Sequence, residues 1–314
     1  MLTVMGEALI DVVSRSDREP VRHPGGSPMN VALGLARLGH SVRFLGAWGQ
    51  DDDGCLLEQH LRAEGIELPL PAHDAPTSVA EAVIAENGSA DYNFRVTWQL
   101  PVEDAELEAM VHEATALHVG SIATVLEPGD AQVVKAVEMA SGKMLVSYDP
   151  NCRPQIVGDV EHVRARAEYL VAHSDVVKAS DEDLQWLYPT STLQESARSW
   201  HRLGAKMVVV TRGDLGPWAI TDSTGLEGVQ VPAAHTDVVD TVGAGDTFMA
   251  TLISQFADRG LDGPGAGDRI AALPADHVEA MLRRAADAAA ITVSRTGADL
   301  PRRDELDALT QPTD

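Results

Sequence analysis

Apolar positions along the chain follow two periods. Short runs rich in β-branched residues alternate with longer segments whose apolar residues recur every three or four positions, which predicts βαβ units around a mostly parallel sheet. LTVMGEALIDVV (2–13) opens as a strand. GGSPMNVALGLARLG (25–39) follows as a helix with Val31, Leu35 and Leu38 on one face. Ser27 can cap this helix, Pro28 fits its first position and Gly39 ends it. SVRFLGAWG (41–49) is the next strand and CLLEQHLRAEG (55–65) the next helix. ALHVGSIA (116–123), KMLVSYDP (143–150), SDVVKAS (174–180) and AKMVVVT (205–211) read as strands, each but the last followed by a helical segment. PWAITD (217–222) and GVQVPA (228–233) are extended. In GAGDTFMATLISQF (243–256), Phe248, Met249, Leu252, Ile253 and Phe256 form a helical stripe. The helix is expected to begin near Gly245, and a long helical region to run through about Ser294.

One region breaks the alternation. TSVAEAVIAENGSADYNFRV (77–96) reads as two strands around an Asn87-Gly88 turn, a strong hairpin signal. It predicts a small β-sheet appendage. No repeat, low-complexity segment or long linker appears.

Composition narrows the function. The chain has 314 residues, 44% hydrophobic and 23% charged, enough for one large α/β domain or a main domain with a small appendage. Its net charge of -24 argues against nucleic acid, whose phosphates demand basic surface. An anionic ligand must therefore be held by backbone dipoles, a few arginines or a metal. No stretch reaches the roughly 18 apolar residues of a membrane helix. The amino-terminal segment lacks a basic region and is interrupted by Glu7 and Asp11, so no signal peptide and a cytoplasmic location are expected. Cys55 and Cys152 lack metal-ligand spacing and are expected to be free thiols.

Two stretches carry candidate chemistry. In DTVGAGDTF (240–248), Gly243, Ala244 and Gly245 allow close backbone approach, and their N–H groups lie at the positive end of a helix dipole. Asp246 beside them would repel a phosphate. It can instead accept the proton of a hydroxyl attacking a phosphoryl group, the alternative being a simple helix cap. In PGGSPMN (24–30), Gly25 and Gly26 permit close approach, and Asn30 offers a donor and an acceptor to sugar hydroxyls. Asp11 can accept from two hydroxyls. Turn and capping roles are the alternatives for each. Other signatures fail: Phe248 stands where a dinucleotide fingerprint needs its third glycine, Gly142-Lys143 is followed by Met144, and His112-Glu113 is not followed by a histidine at 116. No GxSxG elbow occurs.

Together GGSPMNVALGLARLG and DTVGAGDTF, about 215 residues apart, resemble the two signatures of the PfkB (ribokinase-like) carbohydrate kinases. GEALID (6–11), WGQDDDG (48–54), VVVTRGDLG (208–216) and SRTGA (294–298) extend the resemblance along the chain. Within the family, PTSVAEAVI (76–84), HVGSIA (118–123) and YDPNCRP (148–154) are most similar to fructokinases. The resemblance implies a single domain, a doubly wound α/β/α sandwich, with a small β lid from segments near 12–22 and 77–98. It implies an ATP-dependent kinase acting on a primary hydroxyl, of fructose foremost, with 2-keto-3-deoxygluconate or ribose as alternatives. A catalytically silent sugar- or nucleotide-binding regulator is the reading of another class. Asp246 would be the general base, with Gly243, Ala244 and Gly245 as the anion hole and Arg153 as a cationic contact to phosphate. Asp11, Gly25, Gly26 and Asn30 would bind sugar, with Tyr92 and Phe94 on the lid. Core packing is the alternative for the two aromatics, as a surface ion pair is for Arg153. Thr211, Gly213 and Gly216 match the nucleotide loop T-x-G-x-x-G. Ala288, Ala289 and Thr292 would border the adenine, or serve close helix packing. The chain departs from the family's N-x-x-E, placing Ser180 and Asp183 there. Asp183 would act on Mg2+ through water, and K+ would bind backbone carbonyls near Asp240, Val242 and Gly297. Sugar and ATP are the expected partners, without nucleic acid or membrane, in a monomer or homodimer.

Overall fold

In the computed structural model of the chain, residues 1–15, 18–84 and 90–309 are described, without the side chains of Arg15, Arg18, Ile84, Ala90, Asp91 and Tyr92. An eight-stranded sheet forms the centre. It contains β1 (Leu2–Met5), β4 (Val42–Leu45), β7 (Ala116–Gly120), β8 (Leu145–Asp149), β9 (Val176–Ser180), β10 (Met207–Thr211), β11 (Trp218–Thr221) and β12 (Val229–Gln230). Their order is β12-β11-β10-β9-β8-β7-β1-β4. Pairings from β4 through β10 are parallel, whereas β11 and β12 join antiparallel. The parallel strands are buried almost throughout, as strands covered on both faces must be.

Two apolar cores flank the sheet. One side is closed by α1 (Ser27–Arg37), α2 (Asp52–Ala63), α8 (Ala244–Asp258), α9 (Ala266–Ala271) and α10 (Ala275–Val293), through residues such as Val31, Leu57, Phe256 and Met281. The other is closed by α3 (Asp104–His112), α4 (Asp130–Ala140), α5 (Val160–Ala172), α6 (Asp181–Leu187) and α7 (Leu193–Leu203), through Leu107, Val137, Leu170 and Trp200. A last helix, α11 (Arg303–Ala308), packs Leu306 near Leu38 and Ala288. The doubly wound sandwich is therefore present. Both cysteines are free.

A second, four-stranded sheet contains β2 (Leu9–Arg15), β3 (Arg18–Gly25), β5 (Val79–Ile84) and β6 (Ala90–Arg95), ordered β3-β2-β5-β6. β5 and β6 pair antiparallel, with Ala80 opposite Phe94 and Ala82 opposite Tyr92. The Asn87-Gly88 turn lies outside the described residues. Segment 2–13 was expected as one strand, but it divides: β1 belongs to the main sheet and β2 to the small one. The division falls at Gly6, where a Cβ would lie 2.3 Å from Pro28 Cγ of α1. The chain can leave the main sheet there only because that atom is missing. The C-terminal helical region is likewise interrupted, between α8 and α10, where Gly260, Gly263 and Gly265 take positive φ.

Contact between α1 and α8 sets the site. Gly34, in the middle of α1, faces Ala250 of α8 and Leu300, and a Cβ on it would come within 2.7 Å of a carbon of each. A Gly34→Val substitution should therefore force the helices apart, lowering stability by about 1–3 kcal/mol and lowering turnover as well. Thermal denaturation and a kinetic assay check this; unchanged midpoint and activity would show that the helices do not need this closeness.

Candidate active site

The carboxyl ends of the parallel strands and the amino-terminal ends of α1 and α8 meet at one edge, where open α/β sheets bind ligands. Gly243, with φ 80°, caps α8, and no side chain supplies a cap. A Cβ there would lie 2.7 Å from Ala298 Cβ, so glycine is required both by conformation and by space. The Ala244 N–H bonds Thr241 O at 3.3 Å and the Thr247 N–H bonds Gly243 O at 2.8 Å. Those of Gly245 and Asp246 have no partner among the described residues. They are the open donors of a helix end.

Asp246 does not cap its helix. Ser27 Oγ donates to its Oδ1 at 2.6 Å, and Asn30 Nδ2 donates to its Oδ2 at 2.8 Å. All three residues are buried. The expected cap role of Ser27 is corrected: Gly26 is the N-cap of α1, with no side-chain bond, and the Ser27 hydroxyl is spent on Asp246. Asn30 likewise uses its donor on Asp246, leaving its amide oxygen to accept from a ligand.

The glycines of the first signature serve a closeness within the protein. A Cβ on Gly25 would lie 2.1 Å from Asp11 Oδ2, and one on Gly26, at φ 111°, would lie 2.6 Å from Glu7 O. The Asp11 carboxylate therefore rests against the Gly25 backbone. Burial pushes its pKa up to about 6; the charges of Arg153 and His23 oppose this and Asp246 adds to it. Arg153 makes no ion pair among the described residues. It is exposed, and its Nη1 donates to Asn151 O, Asn151 Oδ1 and Cys152 O at 2.6–3.1 Å. Its own loop holds it, because Asn151 turns with φ 36° and donates its N–H to Asp149 Oδ1.

Behind α8 the sheet becomes polar. Period-two alternation turns Val177 and Ala179 toward one core and Lys178 toward α8, while Ser180 ends the strand and caps α6. Lys178 Nζ lies 3.0 Å from Asp149 Oδ2, a buried ion pair. Burial alone would lower the Lys178 pKa; Asp149, Asp183 and Asp246 more than reverse this and keep the ammonium charged. Asp183 closes a capping box with Ser180, and its Oδ1 accepts the Cys152 N–H at 2.7 Å. It thereby ties the 150–154 loop to α6.

In the T-x-G-x-x-G loop, Thr211 ends β10, and a Cβ at Gly213 (φ 49°) would meet open space. Gly216 is required by its neighbours, since a Cβ there would lie 2.2 Å from Val231 O. Ala288 and Thr292 are fully buried. Thr292 Oγ1 bonds Thr247 Oγ1 at 2.8 Å, and Ala288 packs with Leu38 and Leu306, so these side chains serve helix packing. Ala289 is partly buried at the core margin. Asp240 Oδ1 accepts the Val242 N–H at 3.0 Å and its Oδ2 accepts the Gly297 N–H at 2.9 Å, joining those two loops. Phe94 is partly exposed on β6, and the Tyr92 side chain lies outside the described residues.

Sequence reading missed three residues. Lys178 was visible as a charge inside an apolar strand, a signal that went unused. Ser27 was seen only as a cap. Glu7 showed only as a charge interrupting an apolar run: it is buried, accepts the Ala123 N–H at 3.2 Å, and burial raises its pKa to about 7 against a bond from Ser121.

A model of the pfkB family carbohydrate kinases matches residues 1–305, and the chain belongs to that family. A fructokinase of Rhizobium leguminosarum bv. trifolii is 32% identical over 263 residues, which cover 82% of this chain and 79% of that protein. The crystal structure of a fructokinase with bound ATP from Xylella fastidiosa superposes with a TM-score of 0.85 at 26% identity, covering 98% of this chain and 97% of that one. A fructokinase from Vibrio cholerae, solved in a fructose, ADP and calcium ion bound form, gives 0.77 at 25% identity over 99% and 98% of the two chains. This protein is accordingly a carbohydrate kinase of ribokinase-like fold.

Glu7 makes stability depend on pH in a definite direction. Its folded pKa of about 7 exceeds the ordinary 4.5, so the folded state binds the proton more tightly. Its contribution is fully present below about 4.5 and is lost as pH rises through about 7. Glu7→Gln removes that loss. The variant should melt above wild type at pH 8, and the gap should shrink toward pH 5. A gap independent of pH would contradict a buried, proton-binding Glu7.

Proposed function

We propose that this kinase transfers the γ-phosphoryl group of ATP to a primary hydroxyl of fructose, giving fructose 6-phosphate. The observation that carries the proposal is the buried Asp246, oriented through both oxygens beside unpartnered N–H groups at the start of α8. A pure binding site gains nothing from a carboxylate among anion donors. Fructokinases among the relatives support the sugar.

In this reading the Asp246 carboxylate accepts the hydroxyl proton as the sugar oxygen forms its bond to phosphorus and the bond to ADP breaks. Ser27 and Asn30 hold it in place. The N–H groups of Gly243, Ala244 and Gly245, extended by that of Asp246, donate to the phosphoryl oxygens, where charge is stabilised most effectively by fixed dipoles. Ala244 contributes least, since its N–H is already shared with Thr241. Asp11 accepts from the sugar hydroxyls, and the free amide oxygen of Asn30 offers a second acceptor. Gly25 and Gly26 keep room for Asp11 beside the sugar. Tyr92 and Phe94 contribute from the small sheet, which acts as the lid. Arg153, bonded to neutral carbonyls rather than carboxylates, retains its charge for phosphate. Thr211, Gly213 and Gly216 line the nucleotide, with Ala289 at the adenine margin.

The residues present fit a nucleotide-borne magnesium. Among the described residues no group of three or more His, Cys, Asp or Glu side chains is placed to hold a metal by itself. Mg2+ bound chiefly by phosphates and water needs only one or two carboxylates. Asp183 would hold it through water, and it would neutralise phosphate charge. Potassium would bind backbone carbonyls near Asp240, Val242 and Gly297, in the two loops that Asp240 joins. A cytoplasmic location belongs to the same reading.

A panel of fructose, ribose, 2-keto-3-deoxygluconate and nucleosides, assayed with ATP, magnesium and potassium, tests the reading. Fructose should lead in kcat/KM, and Asp246→Asn should lower kcat by about 10²–10⁴ while ATP still binds. Phosphorylation of a nucleoside alone would overturn the sugar, and undiminished turnover in Asp246→Asn would overturn the mechanism.

A further inference from the structure

We propose that Lys178 is a catalytic residue: its ammonium contacts the phosphoryl group during transfer and stabilises the charge that gathers there. The inference rests on the kinase reading above and concerns a side chain to which that reading gives no role.

Position is the first support. Lys178 lies near the carboxyl end of β9, at the edge where strands deliver residues to the site. A Cβ built on Gly245 would sit 3.3 Å from Lys178 Nζ. The ammonium therefore stands against the first turn of α8, beside the N–H groups of Gly245 and Asp246 that have no protein partner. An oxygen held by those N–H groups comes within reach of the ammonium. Glycine at 245 keeps that space open.

Charge is the second. Lys178 is 3% exposed, and Asp149, Asp183 and Asp246 all act on it. Asp183 satisfies its oxygens with Ser180 and the Cys152 N–H, and Asp246 with Ser27 and Asn30. Neither needs Lys178 as a partner. Among the described residues only Asp149 pairs with it, through one oxygen at 3.0 Å. An ammonium has three protons to donate, and this arrangement leaves donors for a ligand. A lysine retained in an otherwise apolar strand costs desolvation. The cost has a use where an anion must enter a pocket already lined by carboxylates. Lys178 exchanges no proton in the step; it donates to a non-bridging oxygen while the bond to ADP breaks.

A purely structural lysine would balance Asp149 and nothing more, and the two roles separate in experiment. Lys178→Met should lower kcat by about 10²–10³, as loss of one donor to a developing charge does, with the KM for fructose nearly unchanged. It should also selectively lose affinity for ADP with aluminium fluoride and fructose, measured by calorimetry, while ADP alone binds within about threefold of wild type. If Lys178→Met does not fold, Asp149→Asn/Lys178→Met compared with Asp149→Asn repeats both measurements with the ion pair removed on both sides. A kcat within threefold of the matched parent, or equal losses for ADP and the fluoride complex, would overturn the proposal. Fructose turnover by wild type tests the kinase reading independently, so the two can fail separately.

Discussion

The two hydrogen bonds that Ser27 and Asn30 give to Asp246 are the constraint on which the rest depends. They join residues 219 and 216 positions apart in the chain. A carboxylate buried at a helix start is costly unless both oxygens find donors. Here α1 supplies them, so α1 and α8 must approach closely and in one register. Gly34 opposite Ala250 permits the approach, and Gly6 beneath Pro28 lets the chain pass from the main sheet to the small one and back into α1. The proposed base, its donors and the backbone proposed to receive the phosphoryl group are thereby parts of one helix contact.

An acidic protein binding an anionic substrate has few cations to use. Glu7, Asp11 and Asp149 all lie at the same edge, and burial raises the pKa of each. Positive charge is rationed to helix dipoles, to Lys178 within the sheet and to Arg153 at the rim. Arg153 is held by carbonyls of its own loop and not by a carboxylate, which leaves its charge uncancelled. Such local focusing matters more for a phosphate than the net charge of -24.

The layered fold was legible because strands buried on both faces and helices with one apolar stripe leave different periods in the sequence. The glycine-led start of α8, with Asp246 in its first turn, was legible because a helix end with an open backbone needs small residues. The partners of those residues were not. Ser27 has the composition of an ordinary cap, and only the approach of a helix from the far end of the chain turns its hydroxyl to Asp246. Gly25 and Gly26 pointed to a ligand, yet what crowds them is Asp11 and the Glu7 carbonyl. Lys178 was readable as a charge out of place in a strand; its neighbours Asp149 and Gly245 come from other elements. Local pattern records which element a residue occupies, and long-range contact decides what it touches.

A double-mutant cycle between Ser27 and Asp246 tests the helix contact most directly. Turnover is measured for Ser27→Ala, Asp246→Asn and the double variant at saturating ATP and fructose, with binding of ATP confirmed for each. If the hydroxyl acts by orienting the base, Ser27→Ala lowers kcat in the parent and has almost no effect once Asp246 is asparagine. If the two losses simply add, Ser27 acts elsewhere, and the contact between α1 and α8 is packing without a part in phosphoryl transfer.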